Sequence, residues 1–315
     1  MAKNHSVPRC YLEAWCDPQT PVGHEPYVHV YAKDGDAHKR RAPAKIFKLP
    51  DLYDTDFGGQ RSDALEKKFS RLEGAYSTLR RHKLEKSKLL TQAEYQTLIT
   101  FAATLHQRTP RMMNHHMSHW NMIREIGEDM EKAIAAGSKL PRGFSSSASS
   151  EKVITLNQVR DITNRPPANL LTTTMQAELD ALLQHVRFTI LRYDGGLPGF
   201  ITSDNPTVWH DPEAYKRPPL YQAPTLAYPS TEITMPISPR LCLFGTPNHR
   251  KSSLPLAYSS VHLQVVREFN RRVRAFCASH FIVATEHLDL YWLDMGEQPP
   301  DAWRALMSSD KSKNS

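Results

Sequence analysis

The order of local patterns along this chain predicts an α+β protein. A helical N-terminal half packs with a mixed or antiparallel sheet from the C-terminal half around one shared core. Three observations carry that expectation. Between residues 62 and 135, apolar side chains recur at helical spacing in three successive runs. Beyond residue 186 the runs shorten, favour β-forming residues and are punctuated by Gly and Pro. With 315 residues, 40% of them hydrophobic, the chain is long enough to bury a sizeable core. Helical runs followed by strand runs are the mark of the α+β class.

The first element is unusual. NHSVPRCYLEAW, residues 4–15, places large aromatics where chain ends normally fray. Its apolar half, Tyr11, Leu12 and Trp15, is expected to anchor the terminus and so position the polar half. Tyr27–Ala32 alternates and reads as a strand, followed by a turn at DGD, residues 34–36. KIFKLPDLYD, residues 45–54, is extended and broken by proline. A helix begins near Ser62, with Glu66 in its first turn and an apolar stripe of Leu65, Phe69, Leu72, Tyr76 and Leu79.

A second helix starts at Thr91, where Glu94 completes a capping box, and its apolar stripe is Tyr95, Leu98, Phe101 (or Ala102) and Leu105. Pro110 restarts a third, carrying Met113, Met117, Trp120, Ile123, Met130 and Ile134 as far as Gly137. The Ser-rich residues 137–150 are expected to form a mobile surface loop. Met175, Leu179, Leu182 and Val186 predict a further helix. Strands are expected at 186–193, 199–204, 232–238 and 240–245. A last helix over 259–278 turns His262, Val266, Phe269, Val273 and Phe276 inward, and HFIVAT, residues 280–285, returns to the sheet. The expected organisation is one domain over residues 1–306 with a disordered tail, 307–315.

Forty Lys and Arg against 33 Asp and Glu give a net charge of +7 and a pI near 9.2. That balance permits an anionic partner, nucleic acid among them. Cys10, Cys16, Cys242 and Cys277 form no CxxC pair or regular framework, so reduced thiols are expected. With no apolar leader and no stretch long enough to span a bilayer, the expectation is a soluble, cytoplasmic protein without membrane association. The chain lacks a Walker-type loop, GxGxxG and GxSxG, which excludes nucleotide-hydrolysing, dinucleotide-binding and α/β-hydrolase readings as first choices.

Four patterns stand in a fixed order: NHSVPRCYL, LHQRTPR, ITSDNP and ITMPISPRLCL. This set resembles the domain-of-unknown-function 4238 family, mostly bacterial proteins of uncharacterised activity. LEKKFSRLEGAYSTL and VREFNRRVRAFCASHFIVA resemble its middle and end segments, so the likeness covers roughly residues 4–285. The resemblance implies one domain and marks positions: Asn4, His5, Pro8, Tyr11, Glu66, Glu73, Arg108, Thr109, Pro110, Ser203–Pro206, Pro236, Ser238, Pro239 and Asn270. Ile237 stands where the family pattern usually has leucine. The His-rich run after RTPR lies outside that pattern.

Each candidate residue admits a chemical and a structural reading. His5 with Arg9 offers a proton donor and an anion clamp, or a pinned terminus. Glu66 and Glu73 project from nearly one side of their helix, suited to a divalent metal or to acid–base work. Equally, they suit a buried arginine. Arg108 continues the inward stripe of residues 98, 101 and 105, and a buried charge there needs a partner. Ser203, Asp204 and Asn205 sit before a proline at a strand end, either capping a tight turn or displayed into a cleft. His115 and His119, at i and i+4, form a potential metal pair or a solvated face. Arg111 and His116 match a loose ribonuclease-like spacing. Arg267, Arg271 and Arg274 share one helix face that could follow a phosphate backbone.

The expected site gathers His5, Glu66, Glu73, Arg108, Asp204 and Asn205 in one cleft, with Arg9, Ser203, Arg267, Arg271 and Arg274 as substrate contacts. Glu66, Glu73 and Asp204 would hold Mg²⁺ or Mn²⁺ for phosphodiester hydrolysis of nucleic acid. The rival expectation is a non-enzymatic binding module whose polar motifs form a structural network.

Overall fold

A tied terminus opens the chain. In the computed structural model, which describes residues 3–50, 64–137, 154–164, 168–248 and 256–289, β1 (Lys3–His5) is clamped antiparallel against a later segment. The short helix α1 (Arg9–Leu12) follows, its Tyr11 and Leu12 fully buried. Next come β2 (Val28–Ala32), β3 (His38–Arg41) and β4 (Lys48–Pro50), the last being the strand that holds β1. Sequence patterning predicted β2 but not β1, β3 or β4 as strands, for three or four residues carry too little period to read.

The helical half follows its stripes. In α2 (Ala64–His82), Leu65, Phe69, Tyr76 and Leu79 are buried and Leu72 half-buried, as the spacing requires. The expected cap at Ser62 lies outside the described residues. The capping box of α3 (Gln92–Gln107) is present: Glu94 N donates to Thr91 Oγ1 at 3.3 Å and Thr91 N to Glu94 Oε2 at 2.8 Å. Pro110 begins α4 (Pro110–Ala135), capped by Thr109, and Gly137 at φ +79° closes it. Apart from Gly137, the expected loop and tail also lie outside the described residues.

A helix the patterning missed, α5 (Leu156–Asn164), starts from a second capping arrangement in which Thr155 and Gln158 exchange bonds. Nine residues are too few for a stripe to be recognised. Then α6 (Ala168–His185) leads directly into the strands: β5 (Val186–Arg192), β6 (Thr202–Ser203), β7 (Val208–His210), β8 (Glu232–Ser238), β9 (Leu241–Pro247) and β10 (Ala257–Ser260). The chain then forms α7 (Leu263–Phe276) and β11 (His280–Val283).

Two expectations need correction here. The last helix begins at Leu263, not Ser259, because Ala257–Ser260 pairs parallel with Thr189–Arg192 of β5; His262 is consequently an exposed N-cap position rather than a core residue. Of the predicted strand 199–204, only Thr202 and Ser203 join a sheet. Upstream, Gly199 sits at φ +62° so close to Pro239 that a Cβ would lie 2.0 Å from the Pro239 oxygen. Only glycine fits there, and Phe200 N then donates to Pro239 O rather than to a ladder partner.

The strands form a five-stranded mixed sheet, order β10-β5-β9-β8-β7, and a four-stranded antiparallel sheet, order β3-β2-β11-β6. The fold is α+β, with the helical half set against strands of the second half as predicted. One core cluster spans both: Tyr11, Trp15, Tyr76, Phe101 and Leu98 pack with Leu182, Ile190, Ile233, Met235 and Leu243. Tyr76 and Phe101 stack with centroids 3.6 Å apart. Each large side chain so enclosed contributes about 1.5–3 kcal/mol relative to exposure.

Candidate functional site

Arg108 ends α3 and is 4% exposed, so its charge must be matched inside the protein. It donates to Glu73 Oε1 at 2.7 Å and to the His5 carbonyl at 2.6 Å, and lies 4.6 Å from the centroid of the Phe69 ring. His5 Nε2 donates to Ala44 O at 3.2 Å. Burial is the main reason its imidazole pKa is lowered. His5, Glu73 and Arg108 are therefore brought together. Glu66, two turns earlier on α2, is exposed and makes no hydrogen bond or ion pair to any described residue.

Asp204 belongs to a different assembly. Its Oδ1 accepts from Ala278 N at 2.7 Å; its Oδ2 accepts from Ser279 N at 2.7 Å, Ser279 Oγ at 2.8 Å and His280 N at 3.0 Å. The carboxylate thus pins the crossing between α7 and β11. Asn205 Nδ2 donates to Phe276 O at 3.0 Å, and Ser203 Oγ accepts from Asn205 N at 3.1 Å. No hydrogen bond or ion pair between described residues joins this assembly directly to the Arg108 group.

What joins the motif segments is Tyr11. Its hydroxyl donates to Pro236 O at 2.7 Å, leaving the Thr202 hydroxyl to donate to it at 2.8 Å. Trp15 Nε1 donates to Phe200 O at 2.8 Å. Asn270 accepts from Ile201 N and donates to Gly199 O, both at 2.9 Å. The opening motif is thereby bonded to ITSDNP, to ITMPISP and, through the His5 carbonyl, to the arginine of LHQRTPR.

The surface candidates are spread. Arg9 pairs with Glu13 at 2.9 Å and is exposed. Arg267 pairs with Asp289 at 2.7 Å, Arg271 with Glu268 at 2.8 Å, and Arg274 donates to Lys33 O at 2.7 Å. His115 and His119 stand edge to face, 5.0 Å between centroids, on the exposed side of α4. Arg111 lies over Phe276 at 4.9 Å, and His116 Nε2 donates to Gln107 Oε1 at 2.7 Å. Among the described residues, no three His, Cys, Asp or Glu side chains are grouped as a bound metal ion would require.

Three polar groups escaped sequence reasoning. Arg272, 1% exposed, lies between Glu232 Oε2 at 2.6 Å and Glu268 Oε1 at 2.8 Å. Burial, helped by the Arg272 charge, pushes the His210 pKa down to about 3. Asp17, His29 and His38 form a chain: His29 Nε2 donates to Asp17 Oδ2 at 2.7 Å, and His29 Nδ1 then accepts from His38 Nε2 at 2.8 Å. Burial would raise the Asp17 pKa, but hydrogen bonds from His29 and Gln19 N–H outweigh it and hold the carboxyl below its ordinary range. His106, stacked on Trp209, is held by Glu178 at 2.9 Å. The readable signals were slight: His29 on the alternating face of β2, and Glu268 four residues before Arg272.

A cleft of about 610 Å³ lies beside the motif segments. Its lining includes Glu85, Ser87, Arg192, Asp194, Leu197 and the run Ser238–Leu241, with Glu85 paired to Arg80 at 2.6 Å. Its volume is in the roughly 300–1,000 Å³ range of small-molecule sites. Arg192 is committed, with Nε on Asp194 at 2.8 Å and a terminal nitrogen 3.3 Å from Ser87 Oγ. Arg240 is exposed and has no carboxylate partner among the described residues.

A family model described as a protein of unknown function, DUF4238, matches residues 3–287. No curated protein and no solved structure matches the chain. No helix among the described residues is long and apolar enough to cross a membrane.

Proposed function

Since the chain belongs to the DUF4238 family, whose function is unknown, we propose from its geometry that it is a binding module. In this reading the shared polar residues hold the frame and the cleft beside Ser238–Leu241 takes a small anionic molecule with an apolar body. One observation carries it. A cleft of ligand size is built from the motif's own Ser238, Pro239 and Arg240, and Arg240 faces it without a carboxylate partner among the described residues. Leu197, Pro239 and Leu241 supply the apolar wall, and a guanidinium suits carboxylate or phosphate. Support also comes from the candidate acids: Glu73 is engaged by Arg108, and Asp204 accepts four bonds. The free thiols Cys10, Cys16, Cys242 and Cys277 suit a reducing compartment such as the cytoplasm.

Thermal-shift and calorimetric titration against inorganic phosphate, nucleotides and aryl carboxylates tests the proposal. At least one class should stabilise the native chain, and Arg240→Ala should abolish that stabilisation. Binding that survives Arg240→Ala unchanged would remove the cleft from consideration.

A catalytic reading, phosphodiester cleavage of nucleic acid with Mg²⁺ or Mn²⁺, has one different observation in its favour. The Asp17–His29–His38 chain leads from a buried carboxylate to a half-buried imidazole, an arrangement that orients a proton acceptor. Its test is nicking of plasmid or degradation of RNA by the purified chain, lost in His38→Gln. Cleavage that persists in that variant would exclude the relay as its source.

A further inference from the structure

We propose that two copies of this chain pair antiparallel along α4, about a two-fold axis near Ile123 and Ile126. The 26-residue helix contains no buried residue. Met122, Ile123, Ile126 and Ile134 are 50%, 43%, 54% and 52% exposed. By the helical repeat these four share one side of α4. The other side is taken by α5: Leu156 lies against Gly127, Arg160 reaches Glu128 at 3.3 Å and Glu131 at 2.8 Å, and Arg124 donates to Thr163. A contiguous apolar stripe of this length on a water-facing helix is the signature of an interaction surface.

Charge identifies the occupant. Residues 110–124 carry two positive charges, Arg111 and Arg124, with the imidazoles of His115, His116 and His119 and no acid, whereas residues 125–135 carry Glu125, Glu128, Asp129 and Glu131 against a single lysine, Lys132. That order opposes the helix macrodipole, which favours acids at the N-terminus and bases at the C-terminus, so the stability of α4 itself does not explain it. A second α4 running antiparallel about that axis places His119 of one copy beside Asp129 of the other and Ile123 beside Ile126, twice over, and opposes the two dipoles. A parallel partner would set acid against acid. An isologous pair of this kind closes at two copies and needs no further surface.

Sedimentation equilibrium of the full chain tests the pairing. The native chain is expected to be dimeric at micromolar concentration, and Ile126→Glu, at a position already exposed, to weaken the dimer at least about tenfold with unchanged circular dichroism. Asp129→Lys should weaken it too; a parallel pair would instead be strengthened or unaffected. Mixing that variant with His119→Glu should restore association. A native chain that stays monomeric, or a dimer indifferent to Ile126→Glu, would overturn the proposal.

Discussion

Helices α3 and α4 are consecutive, separated only by Arg108 and Thr109, yet they meet opposite environments. In α3, Leu98, Ile99, Phe101, Ala102, Ala103, Thr104, Leu105 and Gln107 are buried; in α4, no residue is. Both carry an apolar stripe at helical spacing. Such a stripe says that a helix has something to cover, and it does not say what will cover it. For α3 the cover is the chain itself, α2 and the second half together; for α4 we propose a second copy. The same division runs through the polar residues. Arg108 at the end of α3 is matched by Glu73 and a carbonyl, whereas His115, His119, Glu125 and Asp129 of α4 are exposed.

If that comparison is right, changes on the enclosed side should cost far more stability than changes on the open side. The largest effect is expected for Arg272→Ala, which removes the guanidinium paired with Glu232 in a site with no solvent access. Urea unfolding should show a loss of about 3–5 kcal/mol. Next is a pH effect. The His210 pKa is lower in the folded protein, at about 3, than in the unfolded chain, at about 6.5, so the unfolded state binds the extra proton as pH falls between them. Stability therefore decreases below about pH 6, with a slope of up to about 1.4 kcal/mol per pH unit from this group. His210→Phe should flatten the profile measured by urea midpoints, and an unchanged profile would mean that His210 is hydrated.

Tyr11→Phe is expected to cost about 1–3 kcal/mol, since it leaves the Pro236 carbonyl and the Thr202 hydroxyl unpaired in the core. At the other end of the scale, Ile126→Glu should change the unfolding free energy of the monomer by less than about 0.5 kcal/mol. A large loss there would show that α4 is more enclosed than its exposure indicates.

Much of the fold could be read from local pattern. The Thr91/Glu94 box, the Thr109–Pro110 restart and the Leu65-to-Leu79 stripe each depend on residues within a few positions of one another, and each appears where its spacing puts it. What stayed illegible was long-range or short. β3 and β7 are strands because of the partners they meet, and β10 displaced the start of α7 because β5 was there to pair with it. The site divides in the same way. The side-chain types of Glu73 and Arg108 suggested a pair. Arg272 with Glu232, 40 residues apart, gave no local sign, nor did Asp17 with the two histidines. The opening aromatics were read as anchors, and Tyr11 and Trp15 hold the carbonyls of Pro236 and Phe200. That a bonded frame links the opening motif to three later ones became visible only in the fold.

Equilibrium urea unfolding of Asp204→Ala tests most directly the claim that these shared polar residues support the structure. Four donors around the α7–β11 crossing lose their acceptor, so a fall of about 3 kcal/mol is predicted, together with faster amide exchange at Ala278, Ser279 and His280. A variant as stable as the native chain, with those amides equally protected, would contradict it.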